Sequence, residues 1–162
     1  MQQFFSKWKL RRLKLRVWNR RIEKHLHYIR SELNPLMDCS SVVYWGQFYG
    51  GSIIVDRRLR SAKIMIQIPY DGYLSANEKQ VLNQYSIKET LLPYFIFYHE
   101  AAHLLEMMPY IEKRDLEGLK WAIAENRDLA SKASSSYRDL TFEEKADRYA
   151  YEMLTKNCRP TG

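Results

Sequence analysis

The stretch YFIFYHEAAHLLE, Tyr94–Glu106, constrains this chain more than any other. Its apolar residues ask for a buried helix, yet His99, Glu100 and His103 lie in the middle of it. On a helix, positions i and i+4 stand one above the other, so His99 and His103 share a face roughly 6 Å apart. Two imidazoles held in this way either pack as core residues or direct their nitrogens at one metal ion, at the ~2.0–2.1 Å that zinc prefers. Glu100 lies about 100° round the helix, too far to be a third ligand in that plane. It can still reach a water on the metal. Zinc draws the pKa of such a water toward ~7, and a carboxylate can then carry its proton to a leaving amine. Ala101 and Ala102 are small and leave the cleft side uncrowded.

Two histidines need a third ligand. The chain has four histidines, and none follows His103. His25 and His27 are two apart on a helix and do not face one another, so both are expected as surface groups. The missing ligand is then a downstream carboxylate, and TFEEKADRYAYEML supplies it. Glu143 is the expected third ligand. Asp147, one turn later on the same face, is placed to accept the free N–H of a ligating histidine and fix its tautomer. Ala146 and Ala150 flank that face and allow a close approach to the HEAAH helix. Glu144 reads as the reciprocal arm of a capping box with Thr141, with exchange of roles between Glu143 and Glu144 as the alternative register.

Charge divides the chain. Residues 1–30 hold ten Lys or Arg against Glu23 alone, while the rest carries 16 basic and 18 acidic residues. The formal net charge of +7 therefore describes the N-terminal segment rather than the remainder. There, Phe4, Trp8, Leu15, Trp18, Ile22, Leu26, Ile29 and Leu33 recur at three- and four-residue steps, predicting one long helix that ends near Asn34-Pro35. Its basic face either is solvated or meets nucleic acid, an acidic protein or an anionic membrane surface. A binding module that uses this helix, with structural zinc or none, is the alternative to an enzyme.

From Ser41 the period becomes two. SVVYWGQF, SIIVD and AKIMIQIPY predict two or three antiparallel strands over 41–70, separated by turn signals. SANE at Ser75–Glu78 and SIKE at Ser86–Glu89 match capping boxes, the first opening a short helix and the second the HEAAH helix. Pro93 then kinks that helix or marks its first turn, and Pro109 closes it. Residues 110–132 predict another helix, SKASSSY a loop, and TFEE the start of a last helix to about Lys156. The expected architecture is α+β: a small antiparallel sheet packed on the HEAAH helix and a glutamate helix, preceded by the long basic helix.

A chain of 162 residues fits one domain. Its N-terminus alternates basic and apolar residues and lacks the apolar core of a signal peptide. No run reaches the ~18–20 apolar residues of a membrane helix. Cys39 and Cys158 have no ligand spacing and suit a reducing compartment, which makes the cytoplasm the expected location. Tyr110, Tyr137 and Tyr149 could each donate to a transition-state oxyanion, and nothing in the sequence selects among them.

HEAAH followed by EEKAD resembles the gluzincin zinc metallopeptidases, whose pattern is His-Glu-x-x-His on one helix and Glu-x-x-Ala-Asp on the next. Small ImmA/IrrE-like intracellular peptidases are the nearest likeness; they pair such helices with a strand unit similar to GSIIVDRRLRSAKIMIQI. The resemblance spans roughly residues 50–155. It implies that His99, His103 and Glu143 bind zinc, that Glu100 is the general acid/base, and that a protein substrate, such as a regulator, is cleaved. It also implies that the last strand before the HEAAH helix offers its edge to an extended peptide. On this reading residues 35–162 form a zincin-like domain, and residues 1–34 are either part of it or an appendage. The segment 104–142 is longer than this pattern usually has, and Ala102 stands where glycine is common.

Overall fold

The computed structural model describes residues 2–132 and 140–158, with side chains from Lys9 onward. These residues form five helices and one three-stranded sheet, an α+β arrangement. Helix α1, Gln2–Ile29, buries Ile22, Leu26 and Ile29 in the common core while its lysines and arginines from Lys9 onward stay outside. It stops short of Asn34-Pro35. Asn34 instead organises a turn, its Oδ1 accepting from the Leu36 N–H at 2.8 Å and its carbonyl from Met37 at 3.0 Å.

Strands β1 (Asp38–Gly46), β2 (Gly50–Val55) and β3 (Ser61–Pro69) lie in the order β1-β3-β2. β2 and β3 form a hairpin closed by Asp56, whose Oδ1 accepts from the N–H groups of Arg60 and Ser61 at 2.6 and 3.1 Å. β1 runs parallel to β3, so the sheet is mixed and not antiparallel as the strand pattern suggested. The reason is the connection Gln47–Tyr49, which passes over the end of β3 instead of folding β2 back onto β1. Gly46 is level with Pro69 and Gly50 with Gln67, and Gln67 Nε2 donates to the Phe48 carbonyl at 2.9 Å to hold the crossing. A β-carbon on Gly46 would lie 2.1 Å from the Gln67 side chain, so this crossing needs glycine.

β3 is thus central, and Ala62, Ile64, Ile66 and Ile68 bury one face of it. The outer edge of β1 is covered by α1. Asn19 acts there as a surrogate peptide group: its Nδ2 donates to the Val43 carbonyl at 3.1 Å and its Oδ1 accepts the Val43 N–H at 2.9 Å. Among the described residues no strand pairs with the outer edge of β2. That makes β2 the sheet's available edge, in place of the last strand before the HEAAH helix.

Helix α2, Ala76–Tyr85, starts at the expected box, with the Ser75 N–H donating to Glu78 Oε2 at 2.6 Å. The second expected box does not form. Ser86 sits in the left-handed region (φ 51°) and ends α2. One 3-10 turn, Glu89–Leu91, then leads into α3, Leu92–Lys113, with Pro93 in its first turn. α3 is apolar nearly all round, as befits the central helix. It also runs through Pro109, which is exposed, and ends four residues later at Lys113, capped by Arg114 (φ 54°). Asp115 then caps α4, Leu116–Lys132, by accepting the Gly118 N–H at 2.8 Å. The expected loop beginning at Ser131 lies, beyond Lys132, outside the described residues.

Helix α5, Thr141–Asn157, packs antiparallel to α3, with Ala146 and Ala150 fully buried. Thr141 is its first helical residue and Leu140 its cap, so the third expected box is absent too. None of the described helices is long and apolar enough to cross a membrane.

His25 is not a surface group. Its Nδ1 lies 2.7 Å from the Tyr98 hydroxyl, its ring stacks near Tyr94 with centroids 4.5 Å apart, and Cys158 Sγ is 3.9 Å from Nε2. His27 is exposed. Burial lowers the His25 pKa from 6.5 to about 4. The unfolded chain therefore takes up a proton here that the folded chain refuses, so stability falls as pH drops from about 6.5 toward 4 and is unaffected by this group above that window. Denaturant titrations across this range are expected to show a shallower fall for His25→Phe, which carries no charge at any pH, than for the unmodified protein.

Candidate metal centre

α3 and α5 together build the centre. Because α3 is helical through Tyr94–Glu106, His99 and His103 fall on the same face, and the antiparallel α5 sets Asp147 opposite His99 and Glu143 opposite His103. The small side chains of Ala102, Ala146 and Ala150 let the two helices approach closely, and all three are buried. His103 Nε2 is 3.1 Å from His99 Nε2; Glu143 Oε2 is 3.2 Å from His99 Nε2 and its Oε1 3.5 Å from His103 Nε2. These three side chains form a group that can hold a metal ion. Four tetrahedral bonds of about 2.0–2.1 Å put neighbouring donor atoms about 3.3–3.4 Å apart, and the spacings here fit that arrangement.

On its far side, His99 Nδ1 lies 2.8 Å from Asp147 Oδ1. With Nδ1–H donating to that carboxylate, Nε2 is the nitrogen left to face the cluster. Asp147 and Glu143 are 2 and 1 % exposed, so this pairing is screened from solvent. Burial disfavours a charged His99, but the carboxylates of Asp147 and Glu143 outweigh it and raise the pKa. At His103 burial is likewise outweighed, by Glu106 and Glu143, and the pKa rises to about 9. These three carboxylates thus favour positive charge at the imidazoles, which protons or a cation can provide.

Sequence reasoning missed Glu106. One turn beyond His103, its Oε2 lies 3.7 Å from His103 Nδ1, a longer and more exposed ion-pair contact than that of Asp147 with His99. The i,i+3 spacing on α3 was the available signal. Glu144, the alternative ligand, points to solvent and pairs with Arg148 Nη2 at 3.0 Å, neither in the cluster nor in a capping box.

Glu100 is half-buried and stays outside the ligand trio. It lines a cleft of about 460 Å³ together with His103, Glu143, Tyr110, Ile123 and Phe142. Strand β2 crosses close by: a β-carbon on Gly51 would lie 2.3 Å from Glu100 Oε1 and 2.4 Å from its Cγ. Only glycine permits this approach, a constraint that the sequence did not disclose. Of the three tyrosines left open, Tyr110 lines the cleft, Tyr149 donates its hydroxyl to Glu32 Oε1 at 3.3 Å, and Tyr137 lies outside the described residues. Helix α4 contributes a cleft wall through Leu119 and Ile123, which gives the long segment between His103 and Glu143 a structural use.

No protein-family model, curated protein or solved structure matches the chain.

Metal content of the purified protein is the direct check on the trio. His103→Ala and Glu143→Ala are each expected to lower occupancy at least about tenfold, as loss of one of three ligands should. Glu144→Ala is expected to leave occupancy unchanged. Elemental analysis after equilibration with a limiting divalent cation reads all three variants.

Proposed function

We propose that the protein is a zinc-dependent peptidase of the gluzincin kind, related in plan to the small ImmA/IrrE-like enzymes. The observation that carries this reading is the convergence of His99, His103 and Glu143 to spacings of 3.1–3.5 Å, with Glu100 held beside them in an open cleft. Two imidazoles and a carboxylate are the donor set of zinc hydrolases, and three protein ligands leave a fourth position. Zinc bound there supplies Lewis acidity that makes water a competent nucleophile near neutral pH.

The chain's own residues then divide the work. Asp147 holds the His99 ring in one tautomer, and the Glu106 carboxylate adds negative charge near His103. Glu100 takes the proton from the attacking water and delivers it to the leaving amine. A carboxylate in this role must be near the ligands without being one of them. The outer edge of β2, beside Glu100, is the natural place for an extended peptide to add as a further strand. Leu119, Ile123 and Phe142 give the adjoining cleft an apolar lining, suited to an apolar side chain next to the scissile bond.

Glu100→Gln is expected to retain the metal and to reduce peptide hydrolysis by about 10²–10⁴-fold, the usual worth of a positioned acid/base. Loss of metal in that variant, or undiminished hydrolysis, would sink the assignment. Gly51→Ala separates position from presence. The added β-carbon meets the Glu100 side chain from Oε1 down to Cγ, so the whole side chain must shift and stability should fall by about 1–3 kcal/mol. Metal content should hold while kcat drops, a split read from unfolding curves, elemental analysis and turnover of a peptide library.

A further inference from the structure

The core-facing side of α1 is accounted for by its packing on the sheet and α3, and its exposed side is not. Leu10, Leu13 and Val17 are 55, 58 and 40 % exposed, although all three are apolar. Their spacing of three and four residues aligns them into one stripe. At about 100° per residue that stripe lies roughly opposite Leu15, Ile22 and Leu26, which face the core. The exposed face of α1 is therefore amphipathic in its own right.

Cations border the stripe on both sides. Lys9, Arg16 and Arg20 run along one flank and Lys14 and Arg21 along the other, all exposed. No acidic residue precedes Glu23 in the chain. A nucleic-acid contact would be served by the cations alone, since counterion release from phosphates supplies its affinity, and an apolar strip along the middle of such a contact contributes nothing to it. A lipid surface uses both features. Apolar side chains enter the headgroup boundary, and flanking Lys and Arg extend their stems along them to reach anionic headgroups.

We propose that α1 is a membrane-surface helix, lying in the plane of an anionic bilayer with Leu10, Leu13 and Val17 inserted and the flanking Lys and Arg on lipid phosphates. Charge complementarity selects the partner: ten basic residues in the first thirty against one acid match a negatively charged leaflet, where each cation held near the surface strengthens binding about fivefold. The contact is peripheral. It does not depend on the peptidase reading, because the stripe and its flanks lie on the side of α1 away from the domain.

The test is flotation of the full chain with vesicles of phosphatidylcholine alone and of phosphatidylcholine mixed with phosphatidylglycerol, at physiological ionic strength. The protein should float with the mixed vesicles and remain behind with the neutral ones. A variant carrying Leu10→Ser, Leu13→Ser and Val17→Ser keeps every charge and, since all three sites are exposed, keeps the fold, which its circular dichroism and unfolding midpoint verify. Its partitioning should fall at least about tenfold, while its residual affinity for a single-stranded oligonucleotide stays as in the unmodified chain. No flotation with anionic vesicles, or equal flotation of the variant, would overturn the proposal. So would oligonucleotide binding that outcompetes the vesicles for the unmodified protein, which would assign the basic face to nucleic acid.

Discussion

Glu143 and Asp147 are carboxylates sealed between two helices, and the rest of the arrangement follows from what it takes to keep them there. A buried charge is tolerated only when it is paired and hydrogen-bonded. His99 and His103 are the partners, and their rings meet the carboxylates only if α3 and α5 run antiparallel in one register. Shift α5 by a single residue and both carboxylates turn about 100° away. The alanines between them set the depth of the contact, since larger side chains would hold the helices too far apart for imidazole to reach carboxylate. Local spacing, helix packing and electrostatics thus impose the same geometry.

The same interlock explains how a small chain can hold reactive groups rigidly. Asp147 fixes the His99 ring from behind and Glu106 approaches His103 from the neighbouring turn. Both supports come from helices already anchored in the core by Phe95, Leu104 and Leu154. Glu100 is different. It projects about 100° round α3 from His99, into the cleft that His103 and Glu143 also line, with Gly51 of β2 packed closely against it. On the proposed reading, the groups sealed between the helices hold the cation and the one facing the cleft carries the proton.

Much of this was legible in the sequence because helical spacing is local. HEAAH and Glu143–Asp147 each declare a face without reference to anything distant, and the expected trio is the one that converges. What stayed hidden depended on tertiary context. Period-two alternation is the same for parallel and antiparallel strands, so only the crossing at Gly46–Gly50 reveals that β1 pairs with β3. Ser86 and Glu89 carry the letters of a capping box, but the chain takes Ser86 into a left-handed conformation that ends one helix instead of starting another. Pro109 reads as a stop, yet it is exposed on α3, and the helix continues past the bond it cannot make. His25 looked like one more polar residue on a basic helix until Tyr94, Tyr98 and Cys158 closed over it.

The place of β3 in the sheet also orders the cost of assembling it. The β2–β3 hairpin joins residues that are near neighbours along the chain, with Val55 paired to Ala62 across the Asp56 turn. The parallel pairing of β1 instead joins Asp38 to Ser61, with all of β1, the crossing loop and β2 in between. Closing the larger loop costs more chain entropy before any contact repays it. β1 brings α1 with it through the Asn19 clamp on Val43. The hairpin is therefore the cheap nucleus and the α1–β1 unit the expensive addition, so a lesion at Asn19 would act mainly on the last and least local step of forming the sheet.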